Sequence, residues 1–125
     1  MQLLQIKPME NVIVDQDRLG ALYAQLGEAG AEDVVCRALE ELALRLSHSE
    51  MLFHQEGWVD LRQNTRSLIA IADQIGMTAL SQVAQDVSHC IDRRDITALA
   101  ATLSRLIRVG ERSLTAIWDL QDIPF

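Results

Sequence analysis

The side chains that could carry chemistry in this chain are few. Its histidines and cysteines are His48, His54, His89, Cys36 and Cys90. Di-iron helical bundles repeat a carboxylate three residues before a histidine on two of their helices. That spacing occurs here once, as Asp86-x-x-His89. We therefore predict neither a metal site nor a cofactor.

The other two histidines do not form a site with each other. His48 and His54 are six residues apart, a separation that does not bring two side chains onto one helical face. We interpret both as surface residues. Nucleophilic triads, phosphate-binding glycine loops and zinc-protease motifs are also absent from the sequence. Hydrolase and nucleotide-dependent activities consequently have little support.

The two cysteines and four of the arginines have structural explanations. Two cysteines are too few for a disulfide scaffold and are not spaced as C-x-x-C, so we predict reduced thiols that pack in the core as small apolar groups. The arginines that could together bind an anion are Arg45, Arg62, Arg66 and Arg105. Because arginines on helices commonly pair with neighbouring carboxylates, we favour that role for them.

Composition restricts the class of protein further. The chain has 125 residues, of which 49% are hydrophobic, and 11 basic against 18 acidic residues give a formal charge of -7. This length suits one domain, and we assign residues 1–125 to it, with 1–13 as an N-terminal extension. The acidic balance argues against nucleic-acid or anionic-membrane partners. Since we find neither a signal peptide nor an apolar membrane-spanning stretch, we predict a cytoplasmic protein.

The elements that must position any site are helices. Apolar periodicity predicts a first helix over residues 17–26, ended by the glycines of the 27–30 stretch, a second over 31–53 and a third over 56–75. Asp15 or Asp17 is predicted to cap the first helix, Thr78 the fourth and Asp95 the fifth. Gly76 is predicted to end the third helix in the left-handed conformation. Short connections favour antiparallel neighbours. The predicted fold is all-α: an antiparallel up-down four-helix bundle, with an additional short N-terminal helix across one end.

The third predicted helix has a second face beside its predicted buried stripe, which consists of Trp58, Leu61, Thr65, Leu68, Ala72 and Ile75. This second face consists of Arg62, Arg66, Ile69, Ala70 and Asp73. It places an aliphatic residue beside two arginines, and the small Ala70 would let another protein approach closely. We predict a partner-binding surface here. The alternative is that Ile69 packs under the first helix or a neighbouring turn.

The arrangement resembles a histidine-containing phosphotransfer domain, the helical relay module of two-component signalling. The resemblance extends from about Val14 to Trp118. The opening VDQDRLGALYAQLGEAGAEDVVCRALEEL is similar to the first two helices of the family, and RSLIAIADQIG, MTALSQVAQDV and RRDITALAATLSRL match later parts. In the family motif, H-x-L-K-G-S is followed by a glycine ten residues after the histidine. Leu68 and Gly76 match its leucine and that closing glycine.

The chemical residues of the motif are replaced in this chain. Arg66 stands at the phosphoacceptor position, Ile69 at the lysine, Ala70 at the glycine and Ile71 at the serine. A guanidinium stays protonated and offers no nucleophilic lone pair, whereas the relay needs a neutral imidazole nitrogen. The resemblance thus implies a non-enzymatic module that has lost its acceptor.

Three functional hypotheses follow. The leading one is binding of a response-regulator receiver or a histidine kinase through Arg62, Arg66, Ile69, Ala70 and Asp73, with Arg66 facing an acidic phosphorylation pocket. The second is an active relay that uses a displaced histidine, His89 or His54. The third is a homodimer that self-associates through Ile69 and the 118–125 segment.

Overall fold

The computed structural model describes residues 14–121, with side chains described as far as residue 117, and this part of the chain is helical apart from short connections and one isolated β-bridge. Its helices are α1 (Gln16–His54), α2 (Trp58–Gln74), α3 (Thr78–Arg93) and α4 (Ile96–Gln121). The predicted all-α class is confirmed. Val14 belongs to the one β-bridge among these residues, an antiparallel pair with Met77.

The helix starts are set by side-chain caps at two of the predicted positions. Asp15 Oδ1 accepts a hydrogen bond from the backbone N–H of Arg18 at 3.1 Å, and Asp95 Oδ1 accepts one from Ala98 at 3.0 Å. Each bond satisfies a backbone donor that a helix leaves free in its first turn. The predicted cap at Thr78 is wrong, because Thr78 is the first helical residue and Met77 precedes it as N-cap.

The predicted first and second helices follow one another directly within α1, where two helical runs meet at a kink at Gly27. Only Gly27 leaves the helical conformation, with φ 77° and ψ 170°, a combination that is open to glycine and strained for other residues. Our prediction of a break was therefore right at Gly27, but the helix resumes immediately afterwards. Glu28 and Ala29 favour helix, and Gly30 continues it.

The core is a single cluster contributed by all four helices. In the predicted stripe of α2, Leu61, Thr65, Leu68, Ala72 and the adjoining Ile75 are buried, whereas Trp58 at its start is half-buried and packs against the core cluster. Each helix packs against two others: α1 and α3 both contact α2 and α4. Among the described residues, no helix combines the length and apolarity needed to cross a membrane.

The prediction that both cysteines pack in the core is wrong for Cys36, whereas Cys90 packs against the edge of the core cluster. Cys36 is exposed and Cys90 half-buried, and both are free thiols. Cys36 follows Val35, and the buried spacing of α1 continues at Ala38 and Leu39, which turns position 36 outward. Ile96, which the apolar period of the fifth predicted helix places on its buried stripe, is 46% exposed because it is the first residue of α4.

Candidate partner-binding site

The outer face of α2 carries three of the five predicted contact residues. Arg66, Ala70 and Asp73 are exposed, whereas Thr65, Leu68 and Ala72 point into the core. The contacts of α2 with other helices are made to α1 and α3. Within the described residues, the face that carries Arg66 is therefore open to solvent.

Arg66 is the cation of this face that has no partner. Across residues 14–117, its guanidinium makes neither an ion pair nor a hydrogen bond, unlike that of Arg45, Arg62 or Arg105. An exposed guanidinium with five free donors can form a bidentate contact with a carboxylate or phosphate of another molecule. No group of the described fold competes for it.

Arg62 is tied to the end of α3. Its Nε lies 2.9 Å from Asp92 Oδ1, close enough for an ion pair. The same Nε is buried and lacks a hydrogen-bond partner, so the two groups attract each other without the alignment of a hydrogen bond. The side chains are 42% and 46% exposed, and solvent screening makes such a pair weak. Arg62 thus contributes to the site with part of its charge neutralised.

Ile69 is less available to a partner than the sequence suggested. It is half-buried and packs against the core cluster. This agrees with the alternative reading, in which Ile69 packs under neighbouring structure. The five predicted residues therefore divide into an exposed group, Arg66, Ala70 and Asp73, and a half-buried pair, Arg62 and Ile69.

The four arginines do not assemble into one anion site. Arg45 Nη2 lies 2.8 Å from Glu41 Oε2, and Arg105 Nη1 lies 3.8 Å from Asp86 Oδ2. Together with Arg62, three of the four arginines neighbour carboxylates, as their positions on helices predicted. Arg66 is the exception.

The histidines lie on separate parts of the surface. His48 and His54 are exposed on α1, and His89 is exposed on α3. The ring of His54 makes an edge contact with Phe53, with ring centres 5.7 Å apart. Across the described part of the chain, no group of three or more histidine, cysteine, aspartate or glutamate side chains could hold a metal ion.

Sequence reasoning missed an apolar groove beside this face. The groove lies where α2 begins, α3 ends and α4 begins, and its volume is about 570 Å³. It is lined by Trp58, Val59, Arg62, Ile91, Asp92, Arg94, Ile96 and Leu99. One available signal was Val59, an aliphatic residue off the buried stripe of α2, which is 73% exposed.

Comparisons of the chain with family models, with curated proteins and with solved structures gave no match. The resemblance to phosphotransfer domains accordingly depends on the residues and motif spacing described above. The geometry adds the exposure of Arg66 and the openness of the helix face around it.

Proposed function

We propose that the protein is a phosphotransfer-like helical module that has lost its phosphoacceptor and binds a response-regulator receiver domain or a histidine kinase. The observation that carries this proposal is the state of Arg66. This residue occupies the position of the family's acceptor histidine, and it is exposed and unpaired among residues 14–117. A cytoplasmic location and the absence of phosphoryl chemistry in this module are parts of the same proposal.

The proposal includes an antiparallel up-down order of the four helices. Arg62, near the start of α2, pairs with Asp92, near the end of α3. The turn from α2 to α3 spans only residues 75–77, and connections this short favour antiparallel neighbours.

We also place residues 16–26 across one end of this bundle, as the additional N-terminal helix of the proposed fold. Two contacts favour this. The backbone N–H of Asp15 donates to the carbonyl of Gly76 at 2.7 Å, and Arg18 Nε donates to the carbonyl of Gln74 at 3.3 Å. Both contacts are made at the turn between α2 and α3.

Arg66 gives the module a way to bind without reacting. Receiver domains concentrate acidic side chains in their phosphorylation pocket, and a guanidinium at the docked position would complement that charge. Because the guanidinium is not a nucleophile at neutral pH, it would occupy the pocket without accepting a phosphoryl group. Ala70, one turn further along α2, leaves room for the partner to approach.

Binding to receiver domains tests the site. Receivers and kinase domains from the organism that encodes the chain would be titrated against the wild type and Arg66→Glu by calorimetry. We expect at least one partner to bind the wild type and to lose affinity for Arg66→Glu. Arg37→Glu is the matched control, since Arg37 is an exposed arginine of α1 that pairs with Asp33. Circular dichroism would verify that helicity is unchanged.

The possible outcomes distinguish a wrong site assignment from a wrong function. Equal affinity of a partner for the wild type and Arg66→Glu would contradict the site assignment. Failure of every receiver and kinase to bind the wild type would contradict the function itself.

Phosphate transfer provides a second test. The protein would be incubated with a phosphorylated receiver and analysed for acid-labile phosphate. We expect no label on the wild type. Label that disappears in His89→Ala or His54→Ala would overturn the proposal in favour of a relay. Both histidines are exposed, so these substitutions should not disturb the core.

A further inference from the structure

The groove at the start of α2 exposes aliphatic side chains that the described part of the chain leaves uncovered. Its interior includes Leu99, which is 1% exposed, and its rim includes Val59 and Ile96, which are 73% and 46% exposed. A volume of about 570 Å³ lies within the range of pockets that enclose a ligand or a few side chains, roughly 300–1,000 Å³. Contiguous exposed apolar surface of this kind is typical of interaction sites.

The charged residues of the groove favour an acidic occupant. Arg62 and Arg94 line it, and Asp92 is the one acid among the lining residues. Arg94 is exposed and makes no ion pair or hydrogen bond through its side chain among the described residues. In a chain with a net charge of -7, the residues that line the groove carry two arginines against one aspartate. The occupant should therefore combine carboxylates with apolar side chains.

The chain itself contains such a segment. Residues 119–125 read DLQDIPF, with two aspartates, no cation and three large apolar residues. We propose that residues 122–125 of one copy dock in the groove of a second copy. Ile123 and Phe125 would cover Val59 and Ile96, and Asp122 would approach Arg94.

The distance along α4 requires that this docking occurs between two copies. The helix begins at the groove and has 26 residues, so its last residue lies about 38 Å from its first. A segment of four residues spans at most about 14 Å. Residues 122–125 therefore cannot reach the groove of their own copy. Reciprocal exchange about a twofold axis would set the two α4 helices antiparallel and close the assembly as a dimer.

Sedimentation velocity of full-length variants tests the exchange. We expect the wild type to form a dimer that dissociates on dilution, and we expect no larger oligomer. The double variant Ile123→Ser, Phe125→Ser and the groove variant Val59→Asp should each weaken dimerisation by roughly tenfold or more. Leu44→Asp is the matched control, because Leu44 is a 54% exposed leucine of α1 away from the groove. It should dimerise like the wild type.

A peptide supplied in trans completes the test. Fluorescently labelled DLQDIPF would be titrated against the full-length Ile123→Ser, Phe125→Ser variant, whose own segment is disabled. We expect saturable binding that Arg94→Glu weakens by roughly tenfold, and no binding of the peptide that carries the two serines. A wild type that stays monomeric at roughly millimolar concentration, or a dimer unaffected by the serine substitutions, would overturn the proposal.

Discussion

The side-chain amide of Asn64, on α2, forms hydrogen bonds with Arg45, on α1, through both its oxygen and its nitrogen. Its Nδ2 donates to the Arg45 backbone carbonyl at 2.8 Å, and its Oδ1 accepts from Arg45 Nη1 at 3.1 Å. The same Nδ2 donates to Ser49 Oγ at 2.9 Å. Since Asn64 is only 5% exposed, these bonds fix the rotation of α2 against α1. That rotation turns Arg66 outward.

Replacing Asn64 by alanine should destabilise the fold. Asn64→Ala removes three hydrogen bonds and leaves the Arg45 carbonyl and guanidinium with fewer partners. We expect a loss of about 1–3 kcal/mol in the free energy of unfolding, measured by urea denaturation. The control Gln63→Ala changes an exposed neighbour on the same helix and should stay within about 0.5 kcal/mol of the wild type. Equal stability of the two variants would contradict the role of Asn64.

Alanine should have opposite effects at Gly76 and Gly20. Gly76 has φ +79°, and a Cβ there would lie 2.8 Å from the backbone oxygen of Asp15, so Gly76→Ala should cost about 1–3 kcal/mol. Gly20 lies within α1, and a Cβ there meets nothing within 4 Å. Gly20→Ala should therefore stabilise by about 0.5–1 kcal/mol. Thermal denaturation of both variants would measure the difference, and effects of the same sign would contradict it.

Gly110 permits a close approach of α4 to α1. A Cβ at this position would lie 2.5 Å from Leu46 Cδ1, and Leu46 is only 5% exposed. Gly110→Ala should therefore cost about 1–3 kcal/mol through overpacking, despite the higher helix propensity of alanine.

A double-mutant cycle with Leu46→Ala identifies the source of this cost. In that background the contact is gone, and Gly110→Ala should become neutral or stabilising when measured by urea denaturation. A penalty that persists without the leucine side chain would show that another neighbour of Gly110 is responsible.

The two cysteines should react with thiol reagents at different rates. Cys36 is exposed on α1, whereas Cys90 is half-buried and its Sγ lies 3.6 Å from Thr102 Oγ1. We expect a maleimide to modify Cys36 first, because access limits the reaction of the second thiol. Mass spectrometry over a time course would identify the modified residue. Faster modification of Cys90 would mean that α3 and α4 separate readily.

The parts of the fold that sequence reasoning predicted are those determined by local pattern. The buried stripe of α2, the caps at Asp15 and Asp95, and the left-handed Gly76 all follow from spacing and residue type. The residue at which the chain becomes helical again after the break at Gly27 was harder to predict. Whether a helix resumes after a glycine depends on the residues that follow, and the favourable Glu28 and Ala29 allowed α1 to continue past Gly27.

The sequence could predict which residues share the helix face of the candidate site. It could not predict which of their side chains are free to contact a partner. Spacing placed Arg62, Arg66 and Ile69 near one another on α2. It could not show that Arg62 pairs with Asp92, thirty residues away, or that Ile69 packs against the core. The groove depends on how the ends of three helices are placed relative to one another. The apolar periodicity along one helix contains no information on that placement.

The break at Gly27 divides α1 into parts that should respond differently to thermal fluctuation. None of residues 14–30 is buried, and the first buried position of α1 is Ala31. Residues 16–26 form a helical piece shorter than the length at which isolated helices are stable in water, about 12–15 residues. Its amide hydrogens should therefore exchange with solvent through a local opening that leaves the rest of the bundle intact. This opening would release the carbonyl of Gly76 from Asp15, and with it one constraint on the turn that ends α2.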